Sequence, residues 1–154
     1  MNSNIPTFRL ATKNDLPAIV EMLADDHLGS TREKFEIPLP EAYITAFKNI
    51  QKDRNQELTV AELNGEVVGT FQLSYIYGLS LQGALRMQVE AVRVHSKYRG
   101  HGLGTKFFEY IVSRAKEKGC KVIQLASNKQ RPDAIRFYEK LGFSASHEGM
   151  KLSL

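Results

Sequence analysis

The run Arg99-Gly100-His101-Gly102-Leu103-Gly104-Thr105 lies between a stretch that reads as a strand and one that reads as a helix. Upstream, Met87 to Val94 alternates well enough for a strand. Downstream, Leu103, Phe107, Phe108, Ile111, Val112 and Ala115 recur at helical spacing. Three alternating glycines let the backbone adopt conformations that a Cβ would penalise, and so pass close to a ligand. The first-turn amides of the helix have no partner within it and, with the helix dipole, favour an anion. The junction therefore predicts a strand–loop–helix unit with an anion cradle at its turn.

The rest of the chain surrounds that unit with short elements. Residues 7–11 read as a strand, followed by a capping-box pattern from Thr12 to Asp15 and a helix whose stripe is Leu16, Ile19, Val20 and Leu23. Residues 27–39 have no clean period and read as a loop or broken helix. Pro40 can open a second helix carrying Tyr43, Ile44, Phe47 and Ile50. Residues 57–63 and 66–75 flank Asn64-Gly65, a two-residue hairpin signal. Residues 78–83 read as a loop and 84–94 as the next strand. The helix over 102–118 stops at Gly119, residues 121–126 form a short strand, and Pro132 opens a helix to Leu141. A final strand or pair of strands is expected to end at Leu154. The pattern is α+β: a mixed, largely antiparallel sheet flanked by helices, with one strand–helix–strand crossover, expected as a single domain over 1–154.

Composition narrows the function classes. At 154 residues, 42% hydrophobic and 25% charged, the chain has the make-up of a globular domain. No apolar run approaches the roughly 18–20 residues of a membrane span, and the N-terminal residues have no basic and apolar leader. One cysteine, Cys120, excludes an internal disulfide, and these features together predict a cytoplasmic protein with no membrane partner. The net charge of +4 suits an anionic ligand but is too small and scattered for nucleic-acid binding, so none is expected. His27, His95, His101 and His147 show no metal-ligand spacing, so no metal is expected.

Two familiar phosphate loops do not fit. The nucleotidase loop G-x-x-x-x-G-K-[ST] is absent, and Gly100, Gly102 and Gly104 give G-x-G-x-G rather than the dinucleotide fingerprint G-x-G-x-x-G. Instead, residues 99–104 resemble the acetyl-CoA signature Q/R-x-x-G-x-G/A of the GNAT acetyltransferase superfamily. Residues 134–143, Ala-Ile-Arg-Phe-Tyr-Glu-Lys-Leu-Gly-Phe, resemble its second hallmark, A-x-x-F-Y-x-x-x-G-F. The two motifs occur in the family's order and separation; the likeness is sharp over 84–150 and architectural over 1–83, closest to small bacterial stand-alone members.

The resemblance implies a GNAT fold with a splayed central strand pair and acetyl-CoA as co-substrate, with no metal. It implies that Arg99, Gly100, His101, Gly102, Leu103, Gly104 and Thr105 hold the pyrophosphate. It also implies that the pantetheine arm pairs with Val92, Arg93 and Val94 beyond a bulge, and that Asn128, Arg131 and Ala134 complete the cofactor contacts. Many relatives carry asparagine at the position of Arg131, and this departure suggests that a basic side chain there reaches phosphate or adenine instead.

Acyl transfer to an amine needs a neutral amine, a stabilised oxyanion and a protonated thiolate leaving group. At pH 7, holding neutral an amine of pKa near 10.4 costs about 4–5 kcal/mol unless a base takes its proton. The resemblance places Glu90 at a position where many GNAT enzymes carry glutamate, as base through water, as relay, or as an anchor for the amine. The structural alternative is a partner for Arg86 or Arg93. Tyr138 would stand beside the thioester sulfur; a phenol, ordinarily near pKa 10, can protonate a thiolate, ordinarily near 8.5. The alternative is aromatic packing beside Phe137. A strand backbone amide, that of Val92, is expected to meet the oxyanion.

The acceptor is read less directly. Asp25, Asp26, Glu33, Glu36, Tyr43, Tyr75 and Tyr77 lie on segments that usually wall the acceptor site in this superfamily, although Asp25-Asp26 also suits an ordinary helix end. Cys120 reads as a buried bystander, and Phe107, Phe108 and Tyr110 as core. The expected function is N-acetyl transfer from acetyl-CoA to a primary amine of a small molecule in a ternary complex. The alternatives are an acetyl-CoA-binding regulatory or sensing module without turnover, and a protein or peptide N-acetyltransferase. A homodimer is consistent with exposed strands such as the C-terminal one.

Overall fold

Asn64 and Gly65 both take positive φ (52° and 82°), the type I′ geometry whose twist matches paired strands. They join β2 (Gln56–Leu63) to β3 (Glu66–Ile76), which pair antiparallel. The computed structural model describes residues 5–154. Its contacts gather into two units, residues 1–124 and 125–154.

In the first unit, β1 (Thr7–Leu10) pairs antiparallel with β2, and β4 (Arg86–Val94) pairs antiparallel with β3. β5 (Val122–Leu125) completes a sheet of order β1-β2-β3-β4-β5. The Lys121 N–H donates to Leu85 O (2.9 Å) and Gln124 Nε2 to Gln88 Oε1 (2.8 Å). These contacts share one register, so β5 runs parallel to β4, as a strand–helix–strand crossover requires. The sheet is thus mixed and flanked by helices, the α+β arrangement expected from sequence.

Each sheet face has its own cover. On one lies α5 (Leu103–Glu117), with Leu103, Phe107, Phe108, Ile111 and Ala115 buried; Val112 is exposed. Phe107 and Phe71 pack with ring centroids 5.7 Å apart, and Tyr110 stacks on Phe8 at 4.4 Å. The helical stripe therefore buries its aromatics against β1 and β3, as core rather than as a ligand platform. On the other face, α1 (Leu16–Ala24) and α3 (Glu41–Lys52) gather Leu16, Ile19 and Phe47 around Val60 of β2. Between them, α2 (Gly29–Arg32) is a single turn. The β3–β4 connection contains α4 (Ser80–Gly83), where Leu81 and Gln82 have left-handed φ, so this element is a turn in a loop rather than a regular helix.

Two buried carboxylates anchor this unit. Asp15 accepts from Arg9 at 2.7 and 3.0 Å and from the Thr12 N–H at 2.7 Å, which realises the capping box with aspartate in the role of glutamate. Glu57 accepts from Arg114 at 2.6 and 3.1 Å and from Tyr75 Oη at 3.0 Å. The Arg9 hydrogen bond holds the Asp15 carboxyl below its ordinary value. Burial pushes Glu57 upward, but the bonds from Arg114 and Tyr75 outweigh it and leave that carboxyl lowered as well. Groups lowered on folding contribute stability above their unfolded values and lose it as pH falls through the folded ones. The urea midpoint is therefore expected to hold from pH 7 to about 5 and to fall below about pH 4; an acid-insensitive midpoint would contradict these pairings.

In the second unit, α6 (Pro132–Lys140) begins at proline and ends in a turn, where the Phe143 N–H donates to Tyr138 O at 3.1 Å. Residues 144–154 form no strand, against the expected terminal strand or pair. Met150, Leu152 and Leu154 alternate but stay exposed. Alternation provides a face, but a strand also needs a neighbouring edge to close its ladder.

Candidate acyl-CoA site

A bulge in β4 sets the site's geometry. Thr70 pairs with Arg93 and Gln72 with Glu90, so Ala91 and Val92 together oppose Phe71. Ala91 takes φ 52°, a left-handed conformation that costs a residue with a Cβ about 1–2 kcal/mol. In a regular strand Glu90 and Arg93 would point to opposite faces. The extra residue puts both on the face carrying α1, since Thr70 and Gln72 share that face. There the Arg93 Nε lies 3.6 Å from Asp26 Oδ2 and its Nη1 donates to Val92 O at 2.9 Å.

β5 ends one residue after Gln124, which is level with Gln88, whereas β4 continues to Val94. From Glu90 onward, no strand among the described residues pairs with the outer edge of β4. This is the strand-pair opening the sequence predicts, and an edge of this kind can accept an extended chain bearing amide groups.

Beyond β4, the chain passes through a 3₁₀ turn at 96–98 into the glycine loop. Gly100 and Gly102 have φ of 78° and 77°, and a Cβ on either would meet no protein atom. Their backbone conformation, rather than lack of room, demands glycine, and the loop surface stays bare for a ligand. Side chains pin the loop. Arg99 Nε donates to Val94 O at 3.1 Å and its Nη2 to Asp25 O at 3.1 Å; Tyr98 Oη donates to Glu66 at 2.7 Å. His101 Nδ1 lies 2.9 Å from Arg99 O and 3.3 Å from Tyr98 O, so the proton sits on Nδ1 and Nε2 is left for another partner. The first α5 amide that closes onto the loop is that of Lys106, to Gly102 O at 3.3 Å. The earlier N–H groups of Leu103, Gly104 and Thr105 lie at the positive end of a 15-residue helix. The donors fit a pyrophosphate, and the β4 edge fits the amide-bearing arm of the same molecule.

Glu90 is exposed and forms no salt bridge with either arginine suggested as its structural partner. Arg86 donates to Gln124 Oε1 at 3.2 Å, and Arg93 faces Asp26. Asp25 and Asp26, which the sequence offered as acceptor ligands, are instead occupied by Arg99 and Arg93. That clamp between the end of α1 and the glycine loop has no local sequence signal, because its partners are about 70 residues apart. Cys120 is partly buried, and burial raises its thiol, which suits an inert side chain. Among the described residues no cluster of His, Cys, Asp or Glu could hold a metal, and no helix is long and apolar enough to cross a membrane.

Asn128, Arg131, Ala134 and Tyr138 belong to the second unit. Asn128 Oδ1 accepts the Gln130 N–H (2.8 Å) and its carbonyl accepts that of Arg131 (2.9 Å), forming a turn that launches α6. The Arg131 carbonyl in turn accepts the Ala134 N–H at 3.1 Å. The Tyr138 ring meets Phe137 and Phe143 edge-on, at 5.4 and 5.9 Å. A cavity of about 370 Å³ lies elsewhere in the first unit, lined by Arg54, Asn55, Tyr75, Tyr77, Leu85 and Lys118. Lys118 follows the C-terminus of α5, about 22 Å from the helix start, so this cavity is separate from the glycine loop.

Comparison with known proteins agrees with the fold. A solved structure from Bacillus halodurans C-125, described as a transcriptional regulator, is 52% identical, with a TM-score of 0.93 over 97% of this chain and 99% of that one. The glucosamine 6-phosphate N-acetyltransferase of Trypanosoma brucei brucei is 37% identical over 91 residues, 58% of this chain and 59% of that protein. The aminoalkylphosphonate N-acetyltransferase of Salmonella typhimurium is 30% identical over 95 residues, 62% of this chain and 61% of that protein. The chain spans about 60% of the length of the curated relatives it matches. The model of the acetyltransferase (GNAT) family matches residues 17–143, from α1 through the turn after α6, and the chain belongs to that family.

Proposed function

We propose that this protein is an acetyl-CoA-dependent N-acetyltransferase that acetylates a primary amine of a small molecule in a ternary complex. The observation that carries the reading is the bare, pinned glycine loop at the head of α5, joined to a β4 edge left open beyond the bulge. Family membership and two relatives named for acetylating small amines support it.

When bound, acetyl-CoA supplies an acetyl group on a thioester, already activated for attack by an amine. The amides of Gly100 to Thr105 hold the pyrophosphate, with His101 Nε2 turned outward as a further donor when protonated. Arg99 shapes the loop rather than contacting the ligand with its full fork, because Val94 O and Asp25 take its donors. Backbone groups of Val92, Arg93 and Val94 align the arm, and the Val92 N–H faces the acyl oxygen. Glu90 attracts the incoming ammonium and takes one proton from it through water before attack, which frees the nitrogen lone pair; the second proton leaves the nitrogen after the N–C bond forms and restores the Tyr138 hydroxyl. Tyr138 Oη gives a proton to sulfur as the C–S bond breaks. The family resemblance assigns the remaining cofactor contacts to Asn128, Arg131 and Ala134.

A thiol-release assay with acetyl-CoA over an amine library tests the reading, with calorimetry of CoA binding alongside. The expected result is binding, together with CoA release dependent on one class of amine. A second reading, a sensing module that binds acetyl-CoA without turnover, is favoured by the description of the 52%-identical Bacillus halodurans protein as a transcriptional regulator. CoA binding without release for any amine, peptides included, would establish that reading. Loss of both binding and release would refute both.

A further inference from the structure

The face of the sheet that carries Glu90 is polar where α1 and α3 do not cover it. Cross-strand pairing places Gln72 beside Glu90, Ser74 beside Gln88, and Gln56 beside Ser74. Directly paired residues share a face, so these side chains form one patch, which Gln124 of β5 joins through its bond to Gln88. Part of the patch satisfies itself: Gln72 Nε2 and Ser74 Oγ both donate to Gln56 Oε1, at 2.9 and 2.8 Å.

Two charges in the patch remain open. No hydrogen bond or ion pair from a described residue reaches the Glu90 carboxylate. Arg86 is half-buried, yet only one of its five donors has a protein acceptor, at Gln124 Oε1. The β3–β4 loop passes near the guanidinium, since a Cβ placed on Gly78 would stand 3.9 Å from Arg86 Nη2, an ordinary van der Waals contact. A half-buried planar cation with free donors is suited to bidentate recognition of a carboxylate, phosphate or phosphonate.

Glu90 and Arg86 lie four residues apart on one face, about 13 Å between Cα positions. The bond to Gln124, which is level with Gln88, draws the guanidinium toward Glu90. The stripe therefore reads, in order, carboxylate, neutral amides, cation. We infer that Arg86 selects the acetyl acceptor: the substrate is an amine bearing an anionic group several bonds from its nitrogen, with Glu90 at the amine end and Arg86 at the anionic end. A polyamine would place a cation against Arg86. This inference rests on the N-acetyltransferase reading and specifies its acceptor.

The test compares matched pairs, glucosamine 6-phosphate with glucosamine and 3-aminopropylphosphonate with 3-aminopropanol, with spermidine as the polycation. Each is measured for turnover and, by calorimetry, for binding to the CoA-loaded protein. The native protein is expected to favour the anionic member of a pair by roughly tenfold or more in kcat/KM. Arg86→Gln should remove that preference through KM rather than kcat, whereas Arg86→Lys, which keeps the cation, should retain most of it. A preference for spermidine or for the neutral amines would overturn the inference, as would equal loss in Arg86→Gln and Arg86→Lys. If no amine is acetylated, the transferase reading fails and the binding arm still decides. Tighter binding of an anionic member that disappears in Arg86→Gln supports the anion site, and binding without discrimination, or none, removes it.

Discussion

Replacing Tyr138 with phenylalanine is expected to lower kcat for acetyl transfer by about 100-fold or more, the ordinary yield of a positioned general acid. The substitution removes only Oη. The ring's edge-on contacts with Phe137 and Phe143, at 5.4 and 5.9 Å, involve carbon atoms that phenylalanine keeps, so α6 and its C-terminal turn should be undisturbed. The affinity for acetyl-CoA should change little, because the proposed site assigns the pyrophosphate and arm to the backbone of the glycine loop and β4. Steady-state kinetics across pH provides the sharper reading. A proton donor imposes a fall in kcat on the alkaline side, and the variant should lose that limb along with the rate. If Tyr138→Phe kept full kcat with an unchanged profile, the residue would be packing alone and the departing thiolate would be protonated from elsewhere.

Arg114→Met should cost about 3 kcal/mol of stability, the low end for stripping one partner from a buried ion pair, because Arg114 itself is partly exposed. For a chain of this length that corresponds to a Tm lower by roughly 6–12 °C. The carboxylate of Glu57, only 11% exposed, would retain the Tyr75 hydroxyl and Lys118 Nζ, the latter 3.9 Å away, but would lose two direct donors. With those donors gone, burial dominates and its carboxyl rises, so protonation favours the variant's folded state and its deficit in stability should shrink as pH falls from 7 toward about 4. Replacing both partners in Glu57→Leu/Arg114→Met removes the stranded charge and should recover much of the loss. A double variant as unstable as the sum of the singles would mean that the pair was not coupled. The site lies at the far end of α5 from the glycine loop, so kcat per folded molecule should be maintained.

Much of the fold could be read without coordinates because local chemistry specified it. Asn64-Gly65 made a hairpin, since few other residues tolerate two positive φ angles in succession. The apolar stripe from Leu103 to Ala115 made a helix, ended by Gly119, and Pro132 opened another. The glycine loop at the head of α5 was equally legible, because glycine spacing and a helix start lie together in the chain. The terminal strand was misread for the complementary reason. Met150, Leu152 and Leu154 have the right alternation, but pairing depends on an edge that no local pattern encodes.

Sequence by itself determined most of the elements, their order, the glycine loop and, through the two motifs, the family. Tertiary structure alone decided how charges separated by tens of residues were used. It paired Asp25 and Asp26 with Arg99 and Arg93, and Glu57 with Arg114 across 57 positions. It left Glu90 and Arg86 open on one polar face. It also inserted the bulge at Ala91, without which Glu90 and Arg93 would lie on opposite sides of the sheet. The physical reason is one of range. Backbone conformation is set within a few residues, whereas an ion pair is worth little until packing brings its partners together and removes the water between them.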